Sequence, residues 1–349
     1  MVAAKLPESQ EALTYDDVLL VPGLSEIISR HDVNLTSGTL GLRTPFISSN
    51  MDTVTEENMA IAMHYQGGMG IIHRFLNSRR LDQIIKRIKS SGGSPCVSVG
   101  INRDSEELLH VALKNKVNLY CVDVAHGHHT GVASRIKDIK RFTKGWPDVK
   151  IIAGNVATLD GAKFLADAGA NIVKVGIGPG SHCTTRVVTG HGVPQLSAIS
   201  EIYWGLRYDK PYEHVEIIAD GGIRNSGDIA KAIAVGADYV MLGRLLAGCT
   251  ESPVETMIKN GKRCKIYRGM ASFSAQKDRG RSKKRIIAEG VASIIAETGP
   301  VEDTIYELRT GLASACSYTG AITIEQFRAK AKLIKITNSS RVEGTPHGA

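Results

Sequence analysis

Cys183 lies in the stretch VKVGIGPGSHCTTR (residues 173–186), where a β-branched run gives way to three glycines and a proline, then a thiol. Two hydroxyl residues, Thr184 and Thr185, follow it, and Arg186 comes three positions on. A thiolate beside hydroxyls and a cation can serve as a nucleophile, because positive surroundings lower a thiol pKa and hydroxyls can pass a proton. The plain alternative is a small buried hydrophobe, the commoner fate of a free cysteine. The glycines do not read as a P-loop, since no Gly-Lys-Ser/Thr ending follows. Nor do they read as a dinucleotide fingerprint, since the segment follows a late strand. Such a loop can instead offer carbonyls to a monovalent cation or N–H groups to a phosphate.

Other groups fit for chemistry recur along the chain: Ser49 and Asn50, His73 and Arg74, Asp123, Asn155, Asp220-Gly221-Gly222, and Gly243-Arg244. These and the cysteine loop mark the ends of seven of eight short apolar runs: 46–51, 69–73, 96–100, 120–124, 151–156, 172–178, 216–222 and 239–244. Between most of these runs, apolar residues recur at three- and four-residue spacing, as in LDQIIKRIK and GDIAKAIAVGA, which indicates helices. Strand alternating with helix predicts an α/β fold with a parallel sheet. Eight units in about 200 residues predict a closed (β/α)8 TIM barrel, with a doubly wound open sheet as the competing architecture. In such a barrel the polar strand ends share one face, and the ends of the last two strands favour phosphate.

The expected organisation is a mobile segment 1–12, a barrel over 13–335 and a mobile tail 336–349. Two long connections interrupt the barrel: a catalytic loop at 178–195 and a flap at 249–302. Long connections in a compact domain are usually functional.

The chain has 349 residues, 42% hydrophobic and 22% charged, enough for a full core. No run of 18 apolar residues indicates a membrane span. The six cysteines include no CxxC pair, which predicts free thiols in a reducing, cytoplasmic setting. The formal charge is +8, and residues 259–285 hold eleven Lys/Arg against one Asp. That block is a solvated loop or a cationic lid over a phosphorylated ligand. Nucleic acid ranks behind both, because stacking aromatics are sparse there. The triple histidine in AHGHH (His126, His128, His129) matches no common zinc spacing and is expected on the cofactor side.

The cysteine segment closely resembles the catalytic loop of the IMP dehydrogenase / GMP reductase family. The resemblance continues in LTYDDVLLVPG (13–23), SSNMDTVTEENMAIAM (48–63), CVDVAHGH (121–128), IIAGNVAT (151–158), IIADGGIRNSGDIAKAIAVGADYVMLG (217–243), YRGM (267–270) and AEGV (288–291). It implies that Cys183 attacks C2 of a purine nucleotide monophosphate, with Thr185 and Glu289 handling protons. It implies a substrate site in which Ser181, Gly222, Gly243 and Tyr267 take the phosphate and Asp220 the ribose. Ser49, Met51, Asn155, Gly221, Gly269 and Met270 complete that site. Asp123, Val124 and Ala125 match the nicotinamide side. The carbonyls of Gly178, Gly180 and Cys183 match a potassium site. A homotetramer is also implied, with Ser314 to Tyr318 reaching a neighbour's cofactor.

The two branches of the family differ in the lid. In the dehydrogenase branch an Arg-Tyr pair precedes the catalytic Glu-Gly and activates water. Here Arg279 is followed by Gly280, and no room exists between His73 and Cys96 for a regulatory module. The resemblance therefore favours the reductase, using NADPH, whose extra phosphate suits Arg281, Lys284 and Arg285. The alternatives are a dehydrogenase using NAD and a non-catalytic nucleotide-binding regulator. Arg244 departs from both branches, which carry a small residue there.

Overall fold

The structure is a computed structural model that describes residues 11–102, 104–280 and 287–346. After a short strand β1 (Val18–Val21), eight parallel strands close into a barrel: β2 (Phe46–Ser48), β3 (Met69–Ile72), β4 (Cys96–Val99), β5 (Leu119–Asp123), β6 (Lys150–Val156), β7 (Ile172–Val175), β8 (Glu216–Asp220) and β9 (Tyr239–Leu242). The ring is sealed by β2 pairing with β9 in register Phe46↔Val240. All eight expected strands are present, and the open-sheet alternative is excluded.

The barrel forms because each strand is apolar on both faces. One face fills the interior with Ile47, Ile71, Ile152, Ile172, Ile218 and Met241, all essentially inaccessible to solvent. The other packs on amphipathic helices such as Ser78–Ser90 and Thr130–Phe142, whose buried residues recur at helical spacing. The floor is closed by Tyr239, whose hydroxyl accepts from the Leu40 amide at 2.9 Å and donates to Glu216 at 3.3 Å. Replacing Ile152 with Ala should cost about 2–5 kcal/mol of stability, the range for an emptied aliphatic site in a close-packed core. A urea titration checks this, and an unchanged midpoint would mean that the interior can collapse around the gap.

Three segments are more ordered than the residue pattern predicts. The loop expected at 178–195 contains the short helix Thr185–Thr189, and helix Gln195–Arg207 then supplies the crossover from β7 to β8. The flap region carries an antiparallel sheet of β10 (Met257–Lys259), β11 (Lys262–Arg268) and β12 (Ala292–Ala296). The tail expected to be mobile from 336 contains helix Asn338–Glu343, capped by Thr337. It is held to the body by Ile336 N–H donating to Asp17 O at 2.9 Å and by Arg341 pairing with Asp16. The preceding strand, β13 (Lys332–Lys335), pairs antiparallel with β1, in register Val18↔Lys335. Most of the expected mobile segment 1–12 lies outside the described residues. Among the described residues, no helix is long and apolar enough to cross a membrane.

Candidate active site

At the carboxyl ends of the strands a cavity of about 670 Å³ opens under the flap. Two glycines let the chain turn into it after β7. Gly176 has φ +149° and lies so close to β8 that a Cβ would come within 2.0 Å of Asp220 O. Gly178 has φ +86°, and a Cβ there would strike the Arg186 side chain. Only glycine meets both demands.

The turn delivers Cys183 to the cavity, half-buried, at the start of the short helix Thr185–Thr189. The flap locks on from the other side. Cys183 and Gly290 form an antiparallel bridge, Thr184 N–H donates to Glu289 O at 3.1 Å, and Val291 N–H donates to His182 O at 3.0 Å. These bonds bring residues more than a hundred positions apart into one line. The Cys183 thiol donates to Thr185 Oγ1 at 3.2 Å, and Thr185 donates to Glu289 Oε2 at 2.8 Å. A thiol proton thus has a hydroxyl to enter and a carboxylate to end on, the arrangement that nucleophile activation and general acid–base work require.

Arg186 is not the thiol's partner. Its guanidinium donates to Ile177 O at 3.4 Å and to Val193 O at 2.6 Å, tying the two ends of the catalytic loop together. The neighbouring His182 is buried and set edge-on against Tyr267, 4.4 Å between ring centroids. Its ring nitrogens face Ser293 Oγ at 2.6 Å and Ser181 Oγ at 3.2 Å. Burial, and then the charge of Arg244, lower its pKa, so it is neutral near pH 7 and structural in the loop.

The remaining expected substrate residues converge on the same space. Ser49, Met51, Ser181, Gly222, Gly243, Arg244, Tyr267, Gly269 and Met270 all line it. The Tyr267 hydroxyl sits at the rim of the β9 end, where a Cβ on Gly243 would meet it at 3.0 Å. Arg244 is exposed there and forms no ion pair with a described residue. Asp220, Gly221 and Asn155 line the adjoining wall, and Asp123, Val124 and Ala125 the far side.

Three more charged groups belong to the site, of which Lys174 alone was not singled out in the sequence. Lys174 is buried on β7 between two carboxylates, 2.6 Å from Asp220 Oδ2 and 3.0 Å from Asp123 Oδ1. Burial opposes its charge, but Asp123 and Asp220 override this and raise its pKa, so it stays protonated. Burial likewise opposes ionisation of Asp123, yet Lys174 and then Arg74 hold its pKa below the usual carboxylate value. The signal for Lys174 was a lone charge inside a β-branched strand. The other two groups are Arg74 and Arg279, whose guanidiniums lie 4.5 and 4.0 Å from the Phe75 ring centroid at the cavity wall.

Some expected residues lie elsewhere. Ser314 and Tyr318 are on helix Val301–Tyr318, away from the cavity of their own chain. Ser314 accepts from Arg30 at 3.0 Å, and Tyr318 is exposed. Arg281, Lys284 and Arg285 lie outside the described residues. The histidines of AHGHH do not line the cavity: His128 packs on Phe164, and His129 caps a helix by accepting from Gly131 N–H at 3.0 Å. Among the described residues, no cluster of three or more His, Cys, Asp or Glu could hold a metal. Of the three carbonyls matched to potassium, that of Gly180 also accepts the Cys183 N–H at 3.0 Å, which leaves one of its lone pairs for a cation.

The sequence matches the IMP dehydrogenase / GMP reductase domain over residues 12–347. It is 37% identical, over 400 aligned positions and 97% of each chain, to an inosine-5'-monophosphate dehydrogenase of Borreliella burgdorferi. The inosine-5'-monophosphate dehydrogenase of Bacillus subtilis is 35% identical over 477 positions, covering 97% of this chain and 96% of that one. The structure superimposes on a cysteine-to-alanine variant of GMP reductase from Trypanosoma brucei, solved in complex with guanosine 5'-monophosphate. The TM-score is 0.87, at 28% identity and 98% coverage of both chains. With fold and sequence agreeing along nearly its whole length, the chain belongs to the IMP dehydrogenase / GMP reductase family, oxidoreductases built on a TIM barrel.

Proposed function

We propose that the protein is a GMP reductase, converting GMP to IMP and ammonia with NADPH. The observation that carries this reading is the line Cys183–Thr185–Glu289, which ends on a carboxylate with no Arg-Tyr pair in the lid to activate water. In this reading the Cys183 sulfur bonds to C2 of the guanine, the C2–N2 bond breaks, and Glu289 through Thr185 supplies the proton with which ammonia leaves. The resulting thioimidate then accepts a hydride at C2, the C–S bond breaks, and the thiolate is restored. NADPH, when bound, supplies that hydride. The cavity suits it: Asp123, Val124 and Ala125 form one wall, and the guanidiniums of Arg74 and Arg279 beside Phe75 offer positive charge and a flat face. No step is assigned to potassium.

Asp220 is positioned to accept from the ribose hydroxyls, and Ser181, Gly222, Gly243 and Tyr267 to surround the 5'-phosphate. Arg244 adds a full charge to that cradle. Replacing Arg244 with Ser should raise KM for GMP roughly tenfold, the value of a charge-assisted hydrogen bond, with kcat nearly unchanged. Steady-state kinetics check this, and an unaltered KM would remove Arg244 from the phosphate site.

A second reading, IMP dehydrogenase with NAD, is favoured by the relatives of that name at 37% and 35% identity. A paired assay separates the readings by the absorbance of reduced nicotinamide. Loss with GMP and NADPH means reductase, gain with IMP and NAD means dehydrogenase, and no change in either means a binding protein. We also assign a homotetramer, which would bring Ser314 and Tyr318 to a neighbouring cavity. Light scattering tests it, and a monomer would exclude that role.

A further inference from the structure

Among the described residues, Lys174 is the buried cation that touches both walls of the active-site cavity. Its side chain is 3% exposed, and it springs from β7 between the strands that bear the two carboxylates. On one side its ammonium meets Asp220 Oδ2 at 2.6 Å, at the end of β8. On the other it meets Asp123 Oδ1 at 3.0 Å, at the end of β5. Asn155 on the intervening β6 donates to the same Asp220 Oδ2 at 2.9 Å and to Gly176 O at 2.7 Å. Asp123 has Asn50 as a further hydrogen-bond partner, and Asn50 is itself anchored on Ser98 Oγ at 3.0 Å.

The consequences are geometric. Two carboxylates directed at one cavity would repel each other and swing toward solvent. An ammonium held between them removes that repulsion and fixes both rotamers. Lys174 and Asn155 both donate to Asp220 Oδ2, so Oδ1 is the oxygen presented to a ligand. A paired and hydrogen-bonded buried charge is strongly set in place, whereas removing one member leaves its partners uncompensated.

We infer that Lys174 is a positioning residue that aims Asp220 at the nucleotide ribose and, through the same ammonium, sets Asp123 on the cofactor side. This rests on the nucleotide reading given above. Its effect is exerted through the two carboxylates, on which its ammonium is spent. It follows that ribose recognition depends on the charge at 174, and that the two ligands influence each other's binding through one shared group. Such coupling must be reciprocal.

The test is calorimetric binding of GMP and of 2'-deoxyGMP, each with and without NADP⁺, to the full chain and to Lys174→Met. The wild type should bind GMP about tenfold more tightly than 2'-deoxyGMP, the value of one hydrogen bond to a charged acceptor. In Lys174→Met that ratio should fall close to one, and the effect of NADP⁺ on GMP affinity should vanish. Lys174→Arg, which keeps the charge, should recover part of the ratio. Lys174→Gln serves in the same measurement if the Met variant does not fold. A folded neutral variant with an unchanged ratio, or a wild type without ribose preference, overturns the assignment. Failure of the wild type to bind GMP at all removes the nucleotide reading itself, which is a different result.

Discussion

Replacing Cys183 with Ala should abolish turnover, lowering kcat by on the order of 10³-fold or more, as loss of a covalent nucleophile does. The size of the effect follows from the role. Without the sulfur, displacement at C2 would have to occur in one step, with water or hydride meeting an aromatic ring directly. The fold should tolerate the change. Cys183 is only half-buried, and the bridge to Gly290 is made by backbone atoms, so the flap keeps its seat. The variant should therefore bind GMP with near-normal affinity while failing to convert it. Parallel titration calorimetry and kinetics separate the two. If affinity and activity fall together, Cys183 is a packing residue of the loop.

The second large effect is expected at Glu289. Glu289→Gln keeps the shape and the Thr184 N–H bond to its backbone carbonyl, but removes the carboxylate that accepts from Thr185 at 2.8 Å. General acid–base groups contribute about 10²–10⁴-fold, so kcat should fall by at least a hundredfold with little change in KM for GMP. Thr185→Val breaks the same line at its middle and should cost a similar factor. Because the two residues act in series, the double variant should be scarcely worse than either single one. Multiplied losses would show that Thr185 and Glu289 act separately.

Much of this was legible in the residues. The eight barrel strands stand out because each is a short β-branched run ending in a polar or glycine residue, and that same punctuation marks the catalytic face. The line from Cys183 through Thr185 to Glu289 was not legible from spacing. Thr185 and Glu289 are 104 residues apart, and only the pairing of loop with flap joins them. The flap sheet was hidden by its own charge. In β11, Lys265 reads as a solvated residue, yet it is buried, and its ammonium is spent on the carbonyls of Cys249, Thr250 and Ser252. Lys174 was passed over for the related reason that its partners lie on other strands. Arg186, by contrast, invited the wrong pairing, because nearness in sequence suggested the thiol while the helix turned its guanidinium toward the ends of the loop. Each miss concerns a charge whose partner is set by tertiary contact.

The branch of the family is a question of chemistry rather than fold, since both proposed activities would use this barrel and this thiol on a purine nucleotide, GMP in one and IMP in the other. What both readings propose is a covalent bond between Cys183 and the purine. Rapid quenching during the first turnover with ring-labelled GMP and NADPH tests that bond. The account predicts protein-bound label that appears and decays within the turnover and maps to the peptide containing Cys183. Conversion of GMP at the full rate with no label on the protein, or with label on any other residue, would contradict it.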